Sequence, residues 1–425
     1  MAIIEAVHAR EILDSRGRPT VLASCTLRGG ASASASVPSG ASTGTAEAHE
    51  LRDADAKRYR GLGCRLAVAG IRGEICRALA GKSFETQDEL DRALIELDGT
   101  QEKSRLGANA ILAVSVAFAR ARSAASGEPL YRTFAQMLGA EPECFPRLTI
   151  NLFSGGKHAG GQVAIQDVLM VPLETRTIDE TLSVAHEIYE TAASLILERF
   201  GMRRLRADEG GLAPPAHSSR EMIELAVEAV EKAGFTPGRE VALGVDVAAS
   251  HFYLYQDGRY HLDGDVLDSP GMVRRMGEWL DAYPIVSLED GLDENDWEHW
   301  PSLCGRIQGK AVVLGDDFLC TNPPRIARAI EYKACNALLL KVNQIGTLSE
   351  AAAAYRLARS AGWKIVLSVR SGETEDTWAA DLAVGWGADQ FKNGSITQAE
   401  RTAKYNRLLE IEAETGWTVR EWPGR

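Results

Sequence analysis

The spacing of hydrophobic positions along the chain changes near Pro142. Before it, a short β-like run lies around 21–27, and residues 32–44 form a Ser/Gly/Ala stretch without a helical stripe, which predicts a mobile loop. From 62 to 134 apolar residues recur at helical spacing, most clearly over 109–125. We therefore predict an α+β domain over residues 1–135.

Beyond Pro142, short β-rich runs alternate with amphipathic helices, the rhythm of strand–helix units around a mostly parallel sheet. The strand candidates are 148–152, 164–171, 242–247, 285–288, 311–315, 337–341, 364–368 and 388–392. Helical stretches 178–200 and 218–234 both fall between the second and third candidates. We predict a closed β/α barrel over residues 142–425.

Length and composition limit the classes of partner and the cellular location that we expect for this protein. A length of 425 residues suits a barrel of about 250 residues plus a smaller domain. The net charge of -12 argues against nucleic acid or an anionic membrane as a partner. No stretch approaches the about 18 apolar residues of a membrane span, and no signal-peptide pattern opens the chain, so we expect a cytoplasmic protein. The odd number of cysteines, 7, without metal-type spacing, predicts reduced thiols.

Nearly every strand candidate ends on a polar or charged residue. In a barrel these ends converge on the face that carries the active site. The residues are Asp167, Asp246, Glu289, Asp316, Lys341, Arg370 and Lys392.

Three of these residues predict a metal site. Asp246, Glu289 and Asp316 come from successive strands, so their carboxylates can surround one hard divalent cation, and oxygen ligands favour Mg²⁺. Each acid taken alone is equally compatible with a helix cap. The three together favour the metal site.

Cationic residues on neighbouring strands predict a base and an anion site. Lys341 ends the apolar run 337–341, where desolvation would lower its pKa into the range of a useful base; the alternative is a lysine whose head reaches water. Arg370 and Ser371 suit bidentate phosphate binding; the alternative is an exposed arginine beside a Ser cap.

Two Gly-rich loops carry further candidates. Glu209 and His158 lie on such loops, where exposed functional groups are commoner than packed ones. Glu209 is a candidate general acid. The alternative for His158 is a hydrogen-bonded structural histidine.

Together these segments resemble the enolase family, in order and almost end to end. The matching stretches are 9–17, 38–44, 155–159, 208–214, 246–250, 287–290, 315–317, 340–347 and 370–376. The resemblance implies an α/β fold: an enolase-type β/α barrel with a β–β–α–α start and an N-terminal α+β capping domain.

The resemblance also implies roles. The expected ligands of the first of two Mg²⁺ ions are Asp246, Glu289 and Asp316, and Ser39 would reach the second. Lys341 would remove the proton beside the substrate carboxylate, and Glu209 would help hydroxide depart. The residues expected to bind phosphate, balance charge or line the pocket are Arg370, Ser371, Lys392, His158, Gln166 and Asp167.

The implied reaction is the glycolytic conversion of 2-phosphoglycerate, a small phosphorylated hydroxy acid, into phosphoenolpyruvate with loss of water. The family implies a homodimer or a homo-octamer.

Several positions depart from the family pattern. Val369 stands where the family usually has His, Asp167 where it has Glu, and Gly291 where it has Pro, while Asn393 and Ser395 alter a Lys-Thr-Gly-Ala pattern. An alternative is therefore an enolase-like paralogue such as carboxyphosphonoenolpyruvate synthase of phosphonate antibiotic pathways, which dehydrates 2-phosphonoformylglycerate. A non-catalytic barrel is a further alternative, and the metal, base and anion-binding candidates argue against it. A racemase-like barrel is another, and it would lack the long Ser39 loop and the Arg370–Ser371 pair.

Overall fold

The computed structural model of the protein describes residues 2–422, so residue 1 and residues 423–425 of the predicted domains lie outside it. The chain begins with an antiparallel sheet in the strand order β3-β2-β1-β4. Its strands are β1 (Ala2–Leu13), β2 (Pro19–Leu27), β3 (Ser32–Ser36) and β4 (Ser83–Phe84). Helices cover this sheet: α1 (Arg65–Gly70), a π-helical turn (Ile71–Ile75), α2 (Cys76–Leu79), α3 (Gln87–Asp98), α4 (Ala108–Ser126) and α5 (Leu130–Leu138).

The prediction of one loop over 32–44 was wrong in its first five residues. Ser32–Ser36 pairs with β2 in antiparallel register, because ladder hydrogen bonds come from the backbone and do not require large side chains. Helix α4 packs over β2 and β3 and is buried almost all round, so its buried surface extends well beyond one face.

The rest of the chain forms the barrel and its surrounding helices. In chain order the strands are β5 (Cys144–Phe145), β6 (Arg147–Ser154), β7 (Asp167–Pro172), β8 (Val241–Asp246), β9 (Tyr253–Leu254), β10 (Arg259–Leu262), β11 (Asp265–Leu267), β12 (Ile285–Glu289), β13 (Val312–Gly315), β14 (Ala337–Leu340), β15 (Lys364–Ser368), β16 (Gln390–Lys392) and β17 (Thr418–Val419). The helices are α6 (Ile178–Phe200), α7 (Ser219–Lys232), α8 (Ser269–Ala282), α9 (Trp300–Ile307), α10 (Pro323–Tyr332), α11 (Val342–Ile345), α12 (Leu348–Ser360), α13 (Trp378–Gly385) and α14 (Ala399–Thr415).

Strands β6, β7, β8 and β12 to β16 close into a barrel. Strand β7 is antiparallel to β6 and β8, whereas the other neighbouring pairs are parallel. Helices α6 and α7 both lie between β7 and β8, which is a β–β–α–α start. The predicted fold is therefore confirmed.

Side-chain caps begin the two paired helices. Thr177 and Glu180 form a reciprocal capping box at α6, and Ser218 accepts from Glu221 N at the start of α7. These caps satisfy amide groups that the first helical turn leaves without partners.

The N-terminal helices dock on the barrel through buried polar contacts. Asp91 on α3 accepts from the backbone N (2.9 Å) and the hydroxyl (2.7 Å) of Ser349 on α12. Lys103 is almost fully buried, and its amine donates to Glu350 over 2.8 Å. Between residues 2 and 422 no helix has the length and apolar character needed to span a bilayer.

Candidate active site

One rim of the barrel collects the ends of its parallel strands. Asp246 and Glu289 are the last residues of β8 and β12 and are paired in register. Lys392 is the last residue of β16, and Asp316 and Lys341 directly follow β13 and β14. Parallel strands place their carboxyl ends on the same rim, which brings these five side chains to one buried pocket.

Asp167 reaches this rim from the opposite chain direction. The sequence pattern placed it near the carboxyl end of a strand, but it is the first residue of β7. Because β7 is antiparallel to its neighbours, its amino end lies where theirs have their carboxyl ends, and Asp167 lies opposite Asp246. The strand-end prediction was wrong in direction, and the residue still joins the site.

Two lysines stand among the three acids. The amine of Lys392 donates to Asp246 Oδ2 over 2.9 Å and to Glu289 Oε2 over 2.6 Å. The amine of Lys341 donates to Asp316. The structure therefore brings together the three predicted metal ligands, the predicted base and the predicted charge-balancing lysine.

The charges in this pocket shift one another's pKa values. Burial and the charge of Asp246 raise the pKa of Glu289 well above its usual range. Burial also acts to raise the pKa of Asp246, but Lys392 outweighs it and lowers that pKa to about 2. Burial alone would lower the pKa of Lys392, yet Asp246 and Glu289 raise it well above its usual range. The acids thus stabilise one positive charge among them, the ammonium of Lys392.

The prediction of a lowered pKa for Lys341 was wrong. Burial does act to lower it, as the apolar run indicated. The contact with the Asp316 carboxylate outweighs burial, so the pKa of Lys341 lies above its usual value. Before it accepts a proton, this amine must lose its own.

The oxygen atoms of this site are suitable ligands for a hard divalent cation. Within the described residues, Glu289 Oε1 and Gln166 Oε1 are buried oxygens without a hydrogen-bond partner, although Gln166 Nε2 donates to Asp246 over 3.0 Å. Buried acceptors without partners beside ionised carboxylates are suitable ligands for Mg²⁺.

The predicted trio is not the tightest acidic cluster of the site. Within residues 2–422, the groups whose ligand atoms all lie within 4.8 Å of one another are His158, Asp167 and Glu209, and Asp290, Asp316 and Asp317. Asp246 and Glu289 instead share the ammonium of Lys392. The three predicted ligands offer the carboxylate oxygens that Mg²⁺ prefers. In this structure the same carboxylates accept hydrogen bonds from Lys392 and Lys341.

A second polar cluster faces the acids. His158 Nδ1 lies 3.0 Å from Asp167 Oδ2, and His158 Nε2 lies 3.9 Å from Glu209 Oε1. Ser154 donates to Asp167 over 2.5 Å, and Asn151 Nδ2 donates to Glu209 over 3.0 Å. His158 thus lies between two carboxylates that are themselves held in place.

The proton of this cluster is held by the imidazole. Burial acts to lower the pKa of His158, but Asp167 and Glu209 raise it to about 9. Burial acts to raise the pKa of Glu209, and His158 and other nearby cations outweigh it, so this pKa lies below its usual value. For Asp167 burial prevails and the pKa is raised. His158 and Glu209 therefore form an imidazolium–carboxylate pair.

The predicted anion site is occupied by contacts from the N-terminal segment. Arg370 donates to both carboxylate oxygens of Glu47, over 2.9 and 3.1 Å, and to Ser42 O over 2.6 Å. The Ser371 hydroxyl accepts from Arg16 over 3.1 Å and from Ala41 N over 2.8 Å. A guanidinium and a hydroxyl held side by side are suited to bind an oxyanion, and we call Arg370 and Ser371 the oxyanion cradle.

Ser39 lies beside this cradle. Its hydroxyl donates to Glu50 Oε2 over 3.0 Å and accepts from Arg52 over 2.9 Å, while its carbonyl accepts from Arg16. None of these contacts is with Asp246, Glu289 or Asp316, and the role of Ser39 at a second ion stays a prediction.

Val369 places an apolar residue beside Arg370 in the chain. It directly precedes Arg370, is buried, and its backbone N donates to Lys392 O over 3.1 Å. Its side chain can neither accept nor donate a proton, so no titrating group stands at this point of the rim.

Sequence reasoning missed several residues that organise the site. Arg16, although part of a matching stretch, received no role, and Glu47 and Arg401 carried no local signal. Arg401 is fully buried and donates to the carbonyls of Arg370 (2.9 Å) and Ser371 (2.8 Å). Only the fold brings such distant residues together.

The fold and its rim define a capped β/α barrel with three buried acids, two lysines beside them, a histidine–carboxylate cluster and the Arg370–Ser371 pair. The family model described as enolase, N-terminal domain, matches residues 4–134, and that described as enolase, C-terminal TIM barrel domain, matches residues 143–424. The chain belongs to the enolase family.

Proposed function

We propose that this enzyme is a Mg²⁺-dependent dehydratase that converts 2-phosphoglycerate into phosphoenolpyruvate. The observation that carries the proposal is the placement of Lys341 and the His158–Glu209 pair on the same barrel rim, with the Arg370–Ser371 cradle beside them. Such a rim offers a base, a proton source and a phosphate site to one small anion.

Lys341 takes the proton from C2 of the substrate. The amine first has to release its own proton and its contact with Asp316, and the charges of Arg370 and Lys392 favour this because they act to lower the pKa of Lys341. As the C2–H bond breaks, its electron pair moves onto the substrate carboxylate; the pair then returns to form the C2–C3 double bond as the C3–O bond breaks.

His158 and Glu209 supply the proton that the departing hydroxide needs. As the C3–O bond breaks, the leaving oxygen takes a proton from Glu209 and departs as water, and the imidazolium of His158, 3.9 Å away in this structure, supplies that proton once its Nε2 comes within hydrogen-bond distance of Glu209 Oε1. Asp167 and Asn151 hold this pair in orientation.

Asp246, Glu289 and Asp316 would hold the first Mg²⁺, and Ser39 is the candidate for a second. When bound, Mg²⁺ supplies positive charge that stabilises the doubly negative carboxylate formed by proton removal. Lys392 and Gln166 orient Asp246, and Arg370 and Ser371 bind the phosphate.

The test is an absorbance assay for phosphoenolpyruvate with purified protein, 2-phosphoglycerate and Mg²⁺. We expect turnover that disappears with a chelator and returns with added Mg²⁺. Mg²⁺-saturated, folded protein that leaves 2-phosphoglycerate unchanged would reject this substrate.

Val369 favours a second candidate substrate. A buried apolar residue stands where the family pattern leads one to expect an imidazole. The same chemistry would then act on an analogue such as 2-phosphonoformylglycerate, as in carboxyphosphonoenolpyruvate synthase. Parallel assays of both compounds decide: a much higher kcat/KM for the analogue supports the second candidate, and a much higher value for 2-phosphoglycerate supports the first.

We further propose that the ligand is a small phosphorylated hydroxy acid and that the protein forms a homodimer or homo-octamer. The net charge of -12 supports the absence of nucleic-acid and anionic-membrane partners. Light scattering of the purified protein tests the assembly: a monomer at assay concentrations would contradict it.

A further inference from the structure

Two buried residues behind the acids, Thr321 and Gln344, contact both the proposed base and one proposed metal ligand. Both side chains have no exposed surface. Gln344 Nε2 donates to Asp316 Oδ1 over 2.8 Å, and the Thr321 hydroxyl donates to Gln344 Oε1 over 2.7 Å. The backbone N of Lys341 donates to the same Thr321 oxygen over 3.0 Å.

The direction of these hydrogen bonds follows from the donors available. A backbone N–H can only donate, so Thr321 accepts from Lys341 and its single proton is free for Gln344 Oε1. The carboxamide of Gln344 must then turn its NH₂ group toward Asp316. The opposite orientation would set an amide oxygen against a carboxylate oxygen and leave the Thr321 proton without an acceptor.

The backbone around Thr321 is held in an uncommon conformation. Cys320 and Thr321 have φ angles of +48° and +49°, in the left-handed region, which a β-branched residue rarely adopts. Strain of this kind persists where surrounding contacts enforce it and concentrates at functional sites. Here it places the Thr321 hydroxyl between Lys341 N and Gln344 Oε1.

Asp316 is consequently held at two points. Asp290 accepts from Asp316 N over 2.9 Å and holds the backbone, while Gln344 holds one carboxylate oxygen. The other oxygen faces the amine of Lys341. Gln344 also joins the N-terminal segment, since its carbonyl accepts from Ala48 N over 2.7 Å, next to Glu47, the carboxylate that pairs with Arg370.

We propose that Thr321 and Gln344 are positioning residues that orient the Asp316 carboxylate for Mg²⁺ and set the place of the Lys341 amine. The inference rests on the proposed function for its metal, and it adds two residues that neither touch the substrate nor bind the ion. Groups that orient a metal ligand typically change metal affinity about 10–100-fold when removed.

The test compares three substitutions by calorimetric titration with Mg²⁺ alone, without substrate. Thr321→Val keeps the shape and removes the hydroxyl, and we expect Mg²⁺ affinity to fall about 10-fold or more. Thr321→Ser restores the hydroxyl and should lie within about 3-fold of wild type. Thr181→Val is the matched control, because Thr181 is equally buried and its hydroxyl donates to Thr177 O on α6.

A second variant keeps the inference falsifiable if Thr321→Val fails to fold. Gln344→Met removes the donor to Asp316 with little change in length, and we expect the same loss of Mg²⁺ affinity. Wild-type affinity in Thr321→Val or Gln344→Met overturns the proposal, as does an equal loss in Thr321→Ser. A wild type that binds Mg²⁺ without dehydrating 2-phosphoglycerate would contradict the proposed substrate, and the titrations would still decide on Thr321 and Gln344.

Discussion

The amine of Lys392 lies 2.6 Å from Glu289 Oε2, deep in the barrel pocket. The same amine also donates to Asp246, so one buried ammonium compensates two carboxylates. Removing one partner of a buried charge cluster commonly costs about 3–5 kcal/mol, because it leaves uncompensated charge in a medium of low dielectric constant.

Replacing Lys392 should therefore make the thermal stability of the protein depend more strongly on Mg²⁺. We expect Lys392→Met to lower the melting temperature and Mg²⁺ to raise it more in this variant than in wild type, because a cation bound by the acids stabilises the folded state. Thermal unfolding with and without Mg²⁺ measures both. Lys364→Met, at the first residue of β15 and far from the rim, is the control. An equal Mg²⁺ effect in wild type and Lys392→Met would contradict the expectation.

A substitution at the oxyanion cradle should weaken substrate binding. Arg370 offers two parallel N–H groups, which now meet the two oxygens of Glu47. A lysine keeps the positive charge but cannot donate two parallel hydrogen bonds. We expect Arg370→Lys to raise the KM for 2-phosphoglycerate about 10-fold or more, the equivalent of one charge-assisted hydrogen bond. Arg359→Lys, whose guanidinium pairs with Asp389, is the control and should leave KM unchanged.

Glu209 and Lys341 act on different bonds in the proposed reaction, so substitution of each should affect a different step. We expect Glu209→Gln to lower dehydration about 10²–10⁴-fold while exchange of the substrate's C2 proton with solvent continues. Proton NMR in heavy water follows the exchange, and product absorbance follows dehydration. Loss of exchange in Glu209→Gln would remove Glu209 from the acid role.

Asp91, at the junction of α3 and α12, makes stability depend on pH. Burial raises the pKa of Asp91 to about 6, against about 3.9 for an unfolded aspartate. Between these values the folded state binds more protons, so stability falls as pH rises from about 4 to about 6, by up to about 3 kcal/mol. Its hydrogen-bond partners include Gln87 and Ser349.

Asp91→Asn removes the titrating group, and its unfolding free energy should lack this decline. Urea unfolding at about pH 4 and about pH 7 tests the difference. Asp88→Asn, on the exposed side of α3, should keep the wild-type decline. A decline of wild-type size in Asp91→Asn would rule out Asp91 as its source.

The barrel and most of its rim could be predicted because each follows from local pattern. A buried parallel strand reads as a short apolar run, and the charged residue after it marks the rim, as for Asp246, Glu289 and Lys341. Asp167 was placed at the wrong strand end because periodicity does not report strand direction.

Long-range contacts could not be predicted from local pattern. Glu47 and Arg370 are 323 positions apart, and no spacing rule pairs them. The pKa of Lys341 was predicted in the wrong direction because the apolar run indicated burial and gave no sign of the Asp316 contact. The small side chains of Ser32–Ser36 predict a loop, because the pairing of its backbone gives no signal in the sequence.

The central claim, that Lys341 removes the C2 proton, is tested most directly by proton exchange. Wild-type protein with Mg²⁺ and 2-phosphoglycerate in heavy water should replace the C2 proton with deuterium and form phosphoenolpyruvate, and Lys341→Ala, folded by circular dichroism, should do neither. Continued C2 exchange in Lys341→Ala would contradict the account.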